Sequence, residues 1–232
     1  MTNEDQIADR WQDVFRGLPA PEGVRAVGRR HLFPPVVRVD LAPAGLLGAP
    51  PASAIFSIDG AYRYLLTRGF ADPSDPLDVG VVMLNPSRAG AVDPDPTLGR
   101  VVPFADRLWW GAVKPSRPTR LAVVNLFALV SSDPRQLELA PDPFGPLNVR
   151  ALQWVCENAR ELWFAWGAST PGDGLTGASL ALLHLLLAAR RKRLADPDRP
   201  VWCLGTTQSG APRHPLYMAG DTPFVVWSGF PS

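Results

Sequence analysis

From residue 79 onward the chain alternates short unbroken apolar runs with longer stretches of helical spacing, and few folds accommodate that alternation. The apolar runs cover residues 79–84, 120–124 (apolar after its opening Arg120), 162–166 and 201–204, and they stop at Asn85-Pro86, Asn125, Gly167 and Gly205. Helical spacing occupies residues 97–110, 148–160 and 175–194. A run that is apolar at every position, not every second one, reads as a strand covered on both faces, which is the habit of parallel sheets. Strand–helix–strand units placed in succession close into such a sheet through right-handed crossovers, with helices on both sides. The expected fold is therefore α/β, a three-layer sandwich around a central four-stranded parallel sheet. Ligands of such sheets sit beyond the carboxyl ends of the strands, where the winding reverses. That rule directs attention to Asn85, Asn125, Trp166-Gly167 and the loop 205–217.

The first third has a different texture. Residues 6–15 carry Ile7, Trp11, Val14 and Phe15 at helical spacing, residues 18–35 are loop-like, and residues 36–41, 54–58 and 61–67 read as short strands. Asp59-Gly60 between the last two is a hairpin signal, since both residues tolerate positive φ. Residues 71–78, with three aspartates and two prolines, read as a linker. The 232 residues are expected to form one domain, with a helix and β-hairpin region (1–78) preceding the α/β core (79–232). Hydrophobic residues at 46% supply material for one core, and a net charge of +1 gives no field that would draw the whole surface onto a polyanion. Cys156 and Cys203 lack metal-ligand spacing and read as reduced core thiols, so neither an iron–sulfur cluster nor another cofactor is expected. The polar amino terminus is unlike a secretory signal, and the apolar run 180–189 is too short for a bilayer. A cytoplasmic monomer without membrane contact is the expectation.

Chemistry-bearing side chains gather at the strand ends. Asn85 sits on a turn stiffened by Pro86, where its amide could hold a water or a carbonyl, or simply cap the turn. Asp95 or Thr97, with Thr97 favoured, is expected to cap the following helix. Asn125 followed by Phe127 suits a planar heterocycle, the amide reading an edge and the ring covering a face; a strand-end amide with Phe127 in the core is the plainer alternative. The loop 205–217 carries Arg213, His214 and Tyr217, and Pro212 and Pro215 hold the imidazole in place. Such an imidazole can donate to developing negative charge. His31 and His184 are expected to be structural. Asp93, Asp95, Asp133 and Asp142 are each followed by proline, a turn signature, so no metal site is expected.

Together, Tyr62-Arg-Tyr64, Met83-Leu-Asn-Pro-Ser87, Asp95-Pro-Thr97, Val124-Asn-Leu-Phe-Ala128, Ala165-Trp-Gly167 and Arg213-His-Pro-Leu-Tyr217 resemble a bacterial family of domains of unknown function. That pattern is in turn similar to the α/β uracil-DNA glycosylase superfamily. The resemblance implies a DNA glycosylase-like hydrolase that flips out and excises a damaged or mispaired base, uracil or a relative, by N-glycosidic hydrolysis. It assigns Asn85 to orienting water and His214 to stabilising the departing base. Asn125, Phe127, Trp166 and Pro86 would bind the base, and Ser87, Arg88, Arg213 and Tyr217 would meet the DNA backbone. The partner implied is duplex DNA. The chain departs from the pattern in having Ser87 where a glycine usually follows the proline, no water-activating aspartate, and Leu216 after His-Pro. It also has Pro94 between Asp93 and Asp95, and Gln208 in place of a loop lysine. Without a real general base, slow turnover is expected. Two alternatives use the same crevice: a hydrolase of free nucleosides or nucleotides, and a module that binds altered bases without cleaving them.

Overall fold

The structure is a computed structural model. It describes residues 2–17, 36–42, 44–45, 50–87, 90–92, 95–111, 116–133, 135–168, 187–188 and 200–228. The expected loop 18–35, Arg88, Asp93, His31, His184 and most of the expected helix 175–194 lie outside the described residues.

Helix α1 (Asn3–Arg16) opens the described chain with a capping box, in which Thr2 and Asp5 satisfy each other's backbone N–H groups. Gly17 then takes the left-handed conformation that ends it. Strands β1 (Arg38–Ala42), β2 (Ala52–Phe56) and β3 (Arg63–Arg68) form an antiparallel meander. The β2–β3 turn contains Asp59-Gly60, as its sequence implies: Gly60 has φ +75° and the Asp59 carboxylate accepts from the Ala61 N–H.

Strand β4 (Leu77–Met83) begins inside the expected linker. Asp78 is not a linker residue but a buried strand residue, held by Arg117 at 2.6 Å and by the Arg120 N–H at 2.9 Å. Helix α2 (Pro96–Trp110) follows, then β5 (Leu121–Asn125), a single turn α3 (Gln136–Leu139), and α4 (Asn148–Asn158). Strand β6 (Ala159–Phe164) starts directly from the end of α4. Strand β7 (Val201–Cys203) and the short β8 (Val225–Val226) complete the order.

The sheet corrects the expectation of four parallel strands. It is an open, mixed, eight-stranded sheet in the order β1-β2-β3-β5-β4-β6-β7-β8. The four expected strands are its parallel centre, with β4 between β5 and β6 and β7 beyond β6. The meander does not precede this sheet as a separate region: β3 pairs antiparallel with β5, Leu66 opposite Val123, and β8 pairs antiparallel with β7. The apolar pattern marks a strand as buried but is silent on which edge will find a partner, and both edges of the parallel centre found one.

Side chains alternate between two faces. On one, α1 and α4 cover Ile55, Leu65, Val82, Val124 and Leu162. On the other, α2 covers Ala54, Leu66, Val79, Val81, Val123 and Trp163. Gly80 lies beneath α4, where a Cβ would meet the Val155 and Ala159 side chains at 2.5 and 2.8 Å, so the helix seats against bare backbone. Among the described residues no helix is long and apolar enough to cross a membrane.

Candidate functional site

The winding reverses about β4, and a cavity of about 760 Å³ opens beyond the carboxyl ends of β4 and β5. Asn85, Ser87, Asn125, Trp166, Arg213, His214 and Tyr217 all line it. Residues that are far apart in sequence converge because parallel strands present all their carboxyl ends on one side.

The Asn85 turn is sewn to the segment after β5. Asn85 Nδ2 donates to the Ser131 carbonyl at 2.8 Å, and the Ser131 N–H donates to the Pro86 carbonyl at 3.0 Å. Asn85 therefore performs the turn-holding role with its NH₂ and keeps Oδ1 as the atom available to a water or ligand. Pro86 is buried and does not line the cavity, so it fixes the turn and is not placed to touch a base. Asn125, the last residue of β5, pairs in register with Met83 and is 2% exposed. Among the described residues its Nδ2 has no hydrogen-bond partner, while its carbonyl accepts from Asn148 Nδ2 at 3.0 Å. Asn148, itself buried, also binds the Leu126 carbonyl and so fixes the bend after β5.

Phe127 does not cover the cavity. It is fully buried against Phe144, with ring centroids 5.1 Å apart, and the plainer reading of that residue holds. The turn at Leu126 directs the next side chain into the core, which periodicity alone does not reveal. Trp166 does line the cavity, wedged against Phe164 and Trp227, and among the described residues its Nε1 has no partner.

The His214 loop is a small hairpin after β7. Thr207 N donates to the Ala211 carbonyl at 2.8 Å and Arg213 N to the Gly205 carbonyl at 3.0 Å. Gly167, with φ +81°, donates to the Pro212 carbonyl, and a Cβ there would lie 3.2 Å from the His214 Cβ. The glycine thus brings the loop onto the strand ends. His214 Nδ1 accepts the Leu216 N–H at 3.2 Å, which places the imidazole proton on Nε2. Burial lowers the His214 pKa below the ordinary imidazole value, and the charge on Asp95 opposes the shift without reversing it. A neutral Nε2–H donor results.

Ser87 donates to Asp95 at 2.5 Å, so its hydroxyl is engaged inside the cavity and not offered to a DNA backbone. The helix cap is Asp95, whose Oδ1 accepts the Leu98 N–H at 2.9 Å; Thr97 sits in the first turn. Burial pushes the Asp95 pKa up, but hydrogen bonds from Ser87 and the α2 amides, with the charge of Arg63, outweigh it and hold the carboxyl below its ordinary value. Arg213 and Tyr217 are exposed on the rim, with Leu216 between them 40% exposed.

Sequence reading missed Arg63. Its side chain leaves β3, is 4% exposed, lines the cavity and reaches the Ser87 carbonyl at 3.4 Å. Desolvation lowers its pKa to about 10, so it remains a cation at neutral pH. The available signal was a charged residue next to the apolar and aromatic positions 64–66 of the expected strand 61–67. Among the described residues no group of three His, Cys, Asp or Glu side chains gathers to hold a metal.

The fold and site define an open α/β protein with a cavity of mixed polar and apolar lining at its strand ends. The chain belongs to a family described as Protein of unknown function (DUF1643), whose model matches residues 63–216. That span runs from the buried arginine to the His214 loop and contains the described cavity walls, apart from Tyr217 and Met218 at its edge. No curated protein and no solved structure matches the chain.

Proposed function

We propose that the protein is a DNA glycosylase-like hydrolase that takes a flipped base into this cavity and cleaves its N-glycosidic bond. The observation that carries the reading is the convergence of Asn85 Oδ1, Asn125, Trp166 and a neutral His214 donor on one cavity large enough for a nucleoside. In the proposed step, a water held by Asn85 Oδ1 bonds through its oxygen to the anomeric carbon as the bond to the base nitrogen breaks. The electron pair leaves on the base, His214 Nε2–H hydrogen-bonds the negative charge that develops there, and the water's proton passes to solvent. Asn125 reads the edge of the base and Trp166 supplies a wall. Exposed Leu216 and Tyr217 stand at the mouth, where a duplex would be parted.

Asn85 is an amide and its NH₂ is engaged with Ser131, so it orients water without accepting the proton in earnest. The roughly 10²–10⁴-fold contribution of a general base is therefore largely missing, and turnover is slow. The test is incubation with duplexes carrying uracil, hypoxanthine, xanthine, ethenocytosine or mismatched thymine, followed by detection of abasic sites. Cleavage that disappears in Asn85→Ala and His214→Ala supports the reading; intact duplexes throughout sink it.

One observation favours a second reading, a hydrolase of free nucleosides or nucleotides. Among the described residues lining the cavity the only exposed full cation is Arg213, and the net charge is +1. A DNA-binding surface gives affinity that falls steeply with salt, whereas a small-molecule site does not. Titration of duplex and nucleoside at two salt concentrations separates the two.

A further inference from the structure

His214 stands on a turn with few hydrogen bonds of its own. The 3₁₀ turn Pro215–Tyr217 is closed by the Tyr217 N–H on the His214 carbonyl at 3.3 Å and by the Met218 N–H on the Pro215 carbonyl at 3.2 Å. Turns of this kind have poor hydrogen-bond geometry, so one as short as this depends on what holds its ends. Upstream, the Gly167 N–H ties the Pro212 carbonyl at 2.8 Å. Downstream, helix α2 does the same with arginine side chains. Arg100 Nη2 donates to the Met218 carbonyl. Arg107, about two turns further along the same face of α2, donates through Nη1 to the Gly220 carbonyl at 2.6 Å and through Nη2 to the Thr222 carbonyl. Both guanidinium groups lie over the Phe104 ring, 5.5 and 4.9 Å from its centroid. Among the described residues neither pairs with a carboxylate. A guanidinium pre-set on an aromatic face and aimed at a carbonyl makes hydrogen bonds of the stronger, charge-assisted kind. The two grips differ in what they reach. Met218 directly follows the turn and lines the cavity, as His214 does. Gly220 and Thr222 lie beyond it, in a bend closed by the Thr222 N–H on the Ala219 carbonyl at 3.1 Å.

We propose that Arg100 is a positioning residue for His214, acting through the Met218 carbonyl. Its grip keeps the turn closed, the Leu216 N–H on Nδ1 and the imidazole proton on Nε2, while Arg107 secures the chain behind and has no part in placing the ring. The inference adds to the glycosylase reading the group that holds its donor in place. As to the reaction it rests on that reading; as to the placement of the imidazole it does not, and the two are measured separately.

The experiment is NMR of the full chain at mildly alkaline pH, where imidazole is neutral, with the His214 signals identified by their loss in His214→Gln. The signals read are the hydrogen-exchange rate of the Leu216 amide and the ring nitrogen shifts of His214, which tell which nitrogen carries the proton. Arg100→Met is expected to speed Leu216 exchange by about tenfold and to bring in the Nδ1–H tautomer, which the unaltered chain lacks. Arg100→Lys, which keeps a cationic donor, restores both signals. Arg107→Met removes more hydrogen bonds and lowers the melting temperature further. It nevertheless leaves Leu216 exchange within about twofold of the unaltered chain and adds no tautomer, because exchange through a local opening does not follow global stability. A merely structural role predicts the reverse order. Should Arg100→Met not fold, Arg100→Gln, a neutral donor of shorter reach, is expected to give the same change, smaller in size. Unchanged signals in the Arg100 variants overturn the inference, as do signals that Arg107→Met moves equally and a mixture of tautomers in the unaltered chain. The abasic-site assay is scored apart, with Arg100→Met expected to lose up to about 10²-fold in single-turnover rate. A loosened turn with no duplex cleaved by any variant keeps this inference and removes the glycosylase reading. Cleavage by the unaltered chain, with Leu216 and His214 signals that no Arg100 variant moves, does the opposite.

Discussion

The two halves of the sheet reach burial by different routes. In the parallel half every residue of β4 and β5 is buried, because helices cover both faces, and the strands end in polar turns that open to the cavity. In the antiparallel half β1 runs along an edge and is buried at only one position, while β2 and β3 are closed in by their neighbours. The parallel half supplies the cavity from its loops, through Asn85, Trp166 and His214, with Asn125 at the very end of β5. The antiparallel half supplies one residue from within a strand, Arg63. A loop side chain can be exchanged at small cost to the fold, whereas a strand cation is bound up with the packing around it.

The comparison is broken most directly by asking whether the halves fold apart. Helix α1 packs on both α4 and β1, and Trp11 is fully buried against Trp154 with its Nε1 on the Ala71 carbonyl at 2.8 Å. Trp11→Ala is expected to cost about 3–5 kcal/mol, read from the denaturant midpoint, with one shared transition for both halves. Two separated transitions would mean that the meander is an appendage and that Arg63 belongs to a weaker unit.

Next in size are the effects on chemistry. Loss of a donor aimed at developing charge typically lowers turnover by about 10²–10³-fold, and His214→Ala is expected to fall in that range, measured as abasic sites formed under single turnover. Its melting temperature should scarcely change, since the ring is half-buried in a loop. If stability falls as far as activity does, His214 is a packing residue and the proposed chemistry loses its donor.

Two glycines test the seams. Gly69, at the end of β3, has φ +80°, and a Cβ there would lie 2.4 Å from the Thr119 carbonyl oxygen, just before β5 begins. Gly80 lies within the parallel half, under the tip of Val155. Both Gly→Ala changes should destabilise by about 1–3 kcal/mol, and Gly69→Ala should be the worse because backbone and a positive φ cannot yield as a side chain can. The reverse order, in thermal melts, would show that the junction between the halves is looser than its pairing suggests.

How much of this was readable from sequence follows the same division. The parallel strands were legible to within a few residues because unbroken apolar runs have few other uses, and Asp59-Gly60 announced its turn. The adoption of the meander into the sheet was not, since pairing of β3 with β5 joins segments more than fifty residues apart, and periodicity says nothing of partners. Asp78 looked like a linker because its buried ion pairs come from Arg117 and Arg120 in another segment. At the site, Asn85 and Asn125 were legible as polar residues terminating apolar runs, and His214 as an imidazole held between prolines in the loop after the last run. Phe127 and Pro86 were misjudged because the direction of one turn decides between cavity and core, and Arg63 was passed over because it lies inside a strand.

The smallest effect is the sharpest in sign. Burial and the Leu216 N–H on Nδ1 both favour neutral His214 in the folded state, the second because a protonated Nδ1 would set two N–H groups against each other. The unfolded chain takes up a proton near the ordinary imidazole value of 6.5, before the folded chain does. Between 6.5 and the depressed folded value the unfolded state therefore holds more protons. The contribution is complete above 6.5 and is lost as pH falls through the folded value. Asp95 acts in a separate window: its pKa is held below the carboxylate value of 3.8, so its contribution is complete above 3.8 and is lost only as pH falls further. Denaturant midpoints measured from neutral pH down to the carboxylate range should thus decline in the unaltered chain, decline less in His214→Gln, and decline somewhat more in Asp95→Asn, which loses the charge that opposes the His214 shift. Should His214→Gln keep the full slope, the imidazole is not the group that titrates. The neutral donor assigned to the parallel half would then have no support from pH, leaving the buried cation of the antiparallel half as the charge that defines the cavity.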